Sequence, residues 1–200
     1  TCVIEDDLPA DFLASERALE AKYLESADPI RQSGFGGGAE RWRAERSPIL
    51  DALSVDGALL DVGCANGYLL ECLVAWGRER GRAIDPFGVD IGPRLIDRAR
   101  ARLPGLARHL WVANAWTWTP PRRFRYVYAL WDCVPLDHVA ELARRLLARA
   151  VEPGGRLILG AYGSRSRGTD ALDIGAFLVQ AGYSVAGTTM GGDPPLSRFA

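Results

Sequence analysis

The chain has only two histidines, and its four cysteines, at positions 2, 64, 72 and 133, form no Cys-x-x-Cys pair. Zinc sites are built from such ligands at close spacing, so no metal site is readable. Reduced thiols in a cytoplasmic protein are the expectation instead. Cys64 and Cys72 read as small hydrophobes on a buried strand–helix unit. No apolar run reaches the length of a membrane span, and the first residues carry no signal-peptide pattern. A first residue of Thr1 rather than methionine is expected of a trimmed chain. The net charge of −1 supplies no global field for nucleic acid. Internal repeats and low-complexity tracts are absent from the sequence.

What is present is a chain of 200 residues, 48% of them hydrophobic, a size and composition suited to one α/β domain with a substantial core. Its most informative stretch is Leu-Leu-Asp-Val-Gly-Cys-Ala-Asn-Gly over 59–67. A hydrophobic strand ends in Asp61, and a turn bracketed by Gly63 and Gly67 follows. An amphipathic helix then opens at Tyr68, with Leu69, Leu70, Cys72, Leu73 and Trp76 at helical spacing. Such a unit brings backbone N–H groups close to a ligand at a helix N-terminus. The ligand is not a dinucleotide, because Ala65 and Tyr68 stand where the Gly-x-Gly-x-x-Gly fingerprint requires glycine. It is not a P-loop nucleotide either, since no Lys-Ser or Lys-Thr follows. Asp61 would repel a pyrophosphate and favour a cationic ligand.

Strands and helices alternate through the remainder. Strands are expected near 58–62, 86–91, 109–113, 126–131 and 156–160, then over 182–187 and at the last few residues. Helices are expected over 67–79, 93–103, 136–150 and 173–181. Glu152-Pro153-Gly154-Gly155 reads as a turn before the fifth strand. This alternation argues for a mostly parallel sheet covered by helices. The first 30 residues read as helical up to Asp28-Pro29, and a glycine-rich loop spans 32–38. A second helix is expected over 40–53, interrupted at Pro48. Residues 1–55 are expected to form a helical cap on a domain running over 56–200.

In open α/β sheets, ligands bind at the carboxyl ends of the strands. Asp90 ends the second strand, where a carboxylate can accept from two ribose hydroxyls or cap the next helix. Ala113-Asn114-Ala115-Trp116 ends the third, and Leu130-Trp131-Asp132-Cys133 the fourth.

The segment 61–67 resembles motif I, Asp/Glu-x-Gly-x-Gly-x-Gly, of the class I S-adenosylmethionine-dependent methyltransferases. Asp61, Gly63 and Gly67 match, and Ala65 replaces the central glycine. The Pro-Gly-Gly segment before the fifth strand is similar to that family's turn, and the resemblance runs over about 57–163. It implies a Rossmann-like, seven-stranded, mostly parallel sheet with helices on both faces. It also implies S-adenosyl-L-methionine as cofactor and S-adenosyl-L-homocysteine as product. The implied cofactor contacts are Asp61, Gly63, Cys64, Ala65, Asn66, Gly67, Asp90, Ile91 and Trp131, with Asn114 and Ala115 at the adenine and Trp116 stacked on it. An Asn/Asp-Pro-Pro-Tyr/Phe signature is absent, which weakens nucleic-acid and protein amino groups as acceptors.

A sulfonium methyl is already activated, so the enzyme's work is chiefly alignment of an acceptor lone pair behind it. A general base is needed only for a protonated nucleophile. Asp132 and His138 are the candidate bases. Phe35 among glycines, with Arg41 and Trp42, is a candidate lid. Arg31, Arg41 and Arg46 are candidates to pair with the cofactor carboxylate, and Tyr162 to line the acceptor pocket. The expected function is methyl transfer to an oxygen or nitrogen of a small molecule; high Ala, Arg and Gly usage hints at a bacterial source. The alternatives are an RNA- or protein-directed enzyme, using arginine clusters at 78–82, 98–102 and 122–125, or a cofactor-binding protein that does not methylate. A nucleotide-dependent oxidoreductase is disfavoured by Ala65 and Tyr68.

Overall fold

The computed structural model describes residues 8–200; Cys2 and the start of the expected N-terminal helix lie outside them. Seven strands form one sheet: β1 (Gly57–Val62), β2 (Ile84–Asp90), β3 (Leu110–Val112), β4 (Phe124–Leu130), β5 (Val151–Tyr162), β6 (Thr189–Gly191) and β7 (Ser197–Phe199). Their order is β3-β2-β1-β4-β5-β7-β6. The first five pair in parallel, and β7 runs antiparallel to both β5 and β6. The chain moves outward from β1 to β3 and then returns to place β4 on the other side of β1. The crevice of a doubly wound sheet opens at such a reversal.

Side chains alternate across the strands, and this sorts the core into two faces. Leu60, Val62, Val89, Val127 and Leu159 face one way. They pack with Val139, Leu142 and Leu146 of α5 (Val139–Arg149) and with Ile174 and Leu178 of α6 (Ile174–Gln180). Leu59, Tyr126, Tyr128 and Ile158 face the other way, against Leu73 and Trp76 of α3 (Tyr68–Glu79) and Trp42 of α2 (Ala39–Arg46). Ile96 and Ala99 of α4 (Pro93–Arg102) close a third cluster with Cys64, Leu70 and Leu110. Helix α2 ends at Arg46, and the chain continues as a 3-10 turn over Ser47–Ala52, with Pro48 near its start. Ile49, Leu50 and Leu53 from this turn are buried with Leu59 and Tyr126, so the segment is part of the sheet's own core. Helix α1 (Ala10–Tyr23) is different, because none of its residues is buried. No helix among the described residues is long and apolar enough to cross a membrane.

Two sequence expectations are corrected. Glu152–Gly155 is not a turn preceding the fifth strand, since β5 starts at Val151 and runs through it. The extra residues are absorbed in a bulge: Phe124 pairs with Val151, whereas Tyr126 pairs with Arg156. Gly154 takes φ +74° there, and a Cβ on Gly155 would stand 2.7 Å from the Arg125 carbonyl oxygen. The stretch 182–187 is not a strand. Tyr183 and Val185 pack on the core, and the Tyr183 hydroxyl donates to the Ala140 carbonyl at 2.7 Å. That alternation has no partner strand, and the sixth strand forms at Thr189–Gly191 instead.

Candidate active site

The carboxyl ends of the strands surround two hollows that share Gly63 as a wall. The larger, about 710 Å³, is lined by Asp61, Gly63, Cys64 and Ala65 from the glycine loop. Tyr128, Leu130, Asp132 and Tyr162 enter it from the ends of β4 and β5, and Phe35, Arg41, Trp42 and Arg46 from the N-terminal segment. The smaller, about 50 Å³, lies between Asp90, Ile91, Asn114 and Ala115 on one side and Phe12 and Glu16 of α1 on the other.

The glycine loop is held from below by β2. The Gly63 and Cys64 amides both donate to the Val89 carbonyl, at 2.8 and 3.1 Å, and the Ala65 amide donates to Asp90 Oδ2 at 2.8 Å. Gly67 donates to the Cys64 carbonyl and Tyr68 to Asn66 Oδ1. Five amides of this loop are therefore already bonded, three to β2 and two within the loop itself. Gly63 is required for two reasons: its φ is +84°, and a Cβ would stand 3.1 Å from Cys133 Sγ. Ala65 adopts φ +46°, the left-handed region where glycine is preferred.

Carboxylates ring this loop. Asp61 is 2% exposed, and its Oδ2 has no hydrogen-bond partner. Burial, with a contribution from Asp90, pushes its pKa up to about 8. The Asp90 pKa is also raised by burial, against the pull of amide bonds from Gly92 and Ala65. Asp132 is exposed at the cavity, and partial desolvation by the surrounding protein raises its pKa. Glu16 was not singled out in the sequence. Burial first, then Asp132 and Asp90, lift its pKa to about 7. A crevice that gathers four carboxylates, one with a buried unbonded oxygen, suits a cation.

The methyltransferase-domain family matches residues 36–183, most of the chain. The chain belongs to that family. It is 37% identical over 100 residues to a trans-aconitate 2-methyltransferase of Methylobacterium radiotolerans, a stretch covering 49% of this chain and 35% of that protein. It therefore spans well under half the length of this curated relative. A crystal structure of an S-adenosylmethionine-dependent methyltransferase from Geobacter sulfurreducens, in complex with S-adenosyl-L-homocysteine, superposes with a TM-score of 0.58 at 19% identity. That match covers 87% of this chain and 74% of the other. The DhpI–SAH complex superposes at 0.59 with 18% identity, covering 94% and 92%. These likenesses confirm the Rossmann-like class I methyltransferase fold.

Within that family frame, several expected contacts fall away from both hollows. The Asn66 side chain is fully buried: Nδ2 donates to the Pro29 carbonyl and Gln32 Oε1, while Oδ1 accepts from Ser33 and Tyr68. It clamps the N-terminal segment to the loop and has no capacity left for a cofactor. Gly67 is covered by Ala99 and Leu103. Trp116 cannot offer a face to adenine, because it is 1% exposed with the Arg145 guanidinium 3.8 Å over its ring. Trp131 packs on the core cluster and lines neither hollow. His138 sits against Trp116 and bonds Asp137 at 2.7 Å, so it is not a base at this cavity. Asn114 does line the smaller hollow, but its Oδ1 accepts from the Trp116 amide at 3.0 Å. Of the three arginine candidates, Arg31 is absent from the cavity wall, whereas Arg41 and Arg46 form part of it.

Proposed function

We propose that the protein is an S-adenosyl-L-methionine-dependent methyltransferase that alkylates an oxygen or nitrogen of a small molecule. The observation that carries the proposal is the unbonded Asp61 Oδ2 at the glycine loop, buried in the wall of the larger cavity. A buried polar atom without a partner costs about 1–3 kcal/mol, and a cationic ligand beside it would recover that. Bound S-adenosyl-L-methionine supplies a methyl group already activated on a sulfonium sulfur. The chain's residues supply its place and its surroundings. Each Asp90 oxygen spends one lone pair on an amide, at Ala65 or Gly92, and keeps one for a ribose hydroxyl. Ile91 and Ala115 offer apolar walls to the base. Asp132, with its pKa raised, is the group placed to take a proton from an acceptor hydroxyl or ammonium.

A small acceptor is supported by the arginines that an RNA-directed enzyme would need. Arg80 is paired with Asp51, Arg100 with Asp97, Arg102 with Glu71 and Arg125 with Glu152, and Arg123 bonds the Ala148 and Val151 carbonyls. These five of the nine clustered arginines are engaged within the fold. The curated relative likewise takes its name from a small acceptor.

Calorimetric titration with S-adenosyl-L-methionine and S-adenosyl-L-homocysteine tests the reading. Micromolar binding is expected, weakened about 100-fold by Asp90→Ala and less by Asp90→Asn, which keeps an acceptor oxygen. A folded wild-type protein that binds neither ligand would sink it.

A further inference from the structure

The smaller hollow is filled by the chain's own N-terminal segment. Asp90, Ile91, Asn114 and Ala115 line it from the sheet, and none of the four lines the larger cavity. Leu8, Phe12 and Glu16 close it from the other side. About 50 Å³ is left between them, room for a few water molecules. Pockets that bury an organic ligand hold roughly 300–1,000 Å³. A purine with its ribose therefore does not fit while Leu8 and Phe12 are in place.

The seat of this segment is apolar at its centre. Leu8 is 4% exposed and joins the core cluster of Val89 and Trp116, with Phe12 and Ala115 half-buried at its margin. Taking Leu8 and Phe12 away would leave an apolar slot beside the Asp90 carboxylate, surroundings that suit a base and a ribose. The rest of the segment is held at the rim. Glu20 Oε1 accepts from the amides of Arg94 and Leu95, at 2.8 and 3.3 Å. A Cβ on Gly92 would stand 2.9 Å from Glu20 Oε1 and 3.1 Å from Asp90 Oδ1, so α1 is pinned next to Asp90 itself. At the far end of α1, a Cβ on Gly34 would stand 2.3 Å from the Tyr23 hydroxyl oxygen, so Tyr23 rests on the backbone of the glycine-rich loop. No residue of α1 is buried. Elements held by so few buried contacts open locally at low cost, and a ligand's binding energy can displace them.

We propose that residues 8–23 are an autoinhibitory plug: Leu8 and Phe12 stand in the place of the cofactor's base, and S-adenosyl-L-methionine binds only when the segment is displaced. This rests on the methyltransferase reading. Plug and ligand then exclude each other, and the apparent affinity is the intrinsic one reduced by the fraction of protein with the plug out. A lid that closes over bound cofactor has the opposite sign, because loosening it removes contacts to the ligand.

The test is calorimetric titration of S-adenosyl-L-homocysteine into wild type, Phe12→Ala and Glu20→Ala, each checked for cooperative thermal unfolding. Both variants are expected to bind about 3–10-fold tighter than wild type, since each removes contacts of about that worth from the docked segment. If Phe12→Ala fails to fold, Glu20→Ala decides, because its contacts lie at the rim. Hydrogen exchange over residues 10–23 of the wild type is the second readout, and it decides where the two variants disagree. Exchange should be faster in protein saturated with S-adenosyl-L-homocysteine than in free protein. Weaker binding by both variants, with slower exchange on adding ligand, would make α1 a lid and overturn the plug. Unchanged affinity in both variants with unchanged exchange would overturn it too. In either case the binding itself would leave the methyltransferase reading standing. No binding by wild type or by either variant would remove that reading and the plug with it.

Discussion

Ala65 holds φ +46° in the middle of the glycine loop, a conformation that costs an L-residue about 1–2 kcal/mol. Ala65→Gly is expected to remove that strain and add flexibility to the unfolded chain, for a net gain of about 0.5–1 kcal/mol in urea unfolding. Gly67→Ala should do the reverse by about 2 kcal/mol or more, because φ is +73° and the new Cβ would meet the Ala99 Cβ at 3.1 Å. Asp61 makes a different demand. Its pKa rises from 3.8 to about 8 on folding. Its neutral form is therefore the one the fold prefers: full stability is present below pH 3.8 and is lost as pH rises through 8. Asp61→Asn should flatten that part of the ligand-free stability profile; an unchanged profile would show that Asp61 is ionised in the fold. At this scale the sequence reveals backbone needs better than side-chain directions. The positions of Asp61 and Asp90 at strand ends and of Gly63 in the turn were legible, because turn geometry and strand ends fix them. The placement of Trp116 was not legible because Arg145, about thirty residues away, covers the indole, and that of His138 because it packs on the same Trp116. Arg31, Arg41 and Arg46 could not be separated, since the burial of Arg46 depends on Tyr162, far along the chain.

Helix α1 lies over the smaller hollow with no residue of its own buried. Phe12 and Leu13 pack, half-buried, against the core, and polar contacts add to their hold. Glu20 Oε1 accepts from the Arg94 amide at 2.8 Å and so caps α4, whose own N-cap, Gly92, has no side chain to do it. Glu16 faces Asp132 and Asp90, with Tyr23, its pKa pushed up to about 12, alongside. Because the Glu16 pKa rises from 4.5 to about 7 when α1 is docked, docking is strongest below pH 4.5 and weakens as pH climbs to 7. Hydrogen exchange over residues 10–23, corrected for intrinsic rates, should be faster at pH 8 than at pH 5, and Glu16→Gln should remove the difference. Equal protection at both pH values in the wild type would discard the idea. The helix itself was legible from its spacing, but its seat was not, since a weakly amphipathic helix names no partner. The same limit explains the two strand errors. Pro-Gly-Gly marks a break in regular backbone, and a bulge within β5 satisfies it as well as a turn does. The apolar alternation of Tyr183 and Val185 serves packing on α5 and the core without any pairing.

On the scale of the whole molecule, a net charge of −1 conceals an uneven distribution. Acids gather at the carboxyl ends of β1, β2 and β4, while Arg41, Arg46, Arg165 and Arg167 also line the larger cavity. A cationic ligand beside the acids would neutralise a local excess. This arrangement separates the two forms of the proposed cofactor. S-adenosyl-L-methionine carries a sulfonium charge that S-adenosyl-L-homocysteine lacks, and their amino-acid tails are alike. At a ligand concentration 100 times Kd, binding stabilises by about 2.7 kcal/mol, roughly 5–10 °C in Tm for a chain of this size. Both ligands should produce such a shift. The preference for the sulfonium form should grow from pH 6 to pH 8, as Glu16 with its pKa about 7 and Asp61 with its pKa about 8 ionise. The sulfonium also lowers the pKa of the ligand's own amino group, so the drift of the affinity ratio is compared between wild type and a carboxylate variant. Combining Glu16→Gln with Asp61→Asn should reduce that drift across the same range. A wild-type ratio that does not move between pH 6 and pH 8 would mean that these carboxylates do not face the sulfonium, and the charge pattern would need another explanation.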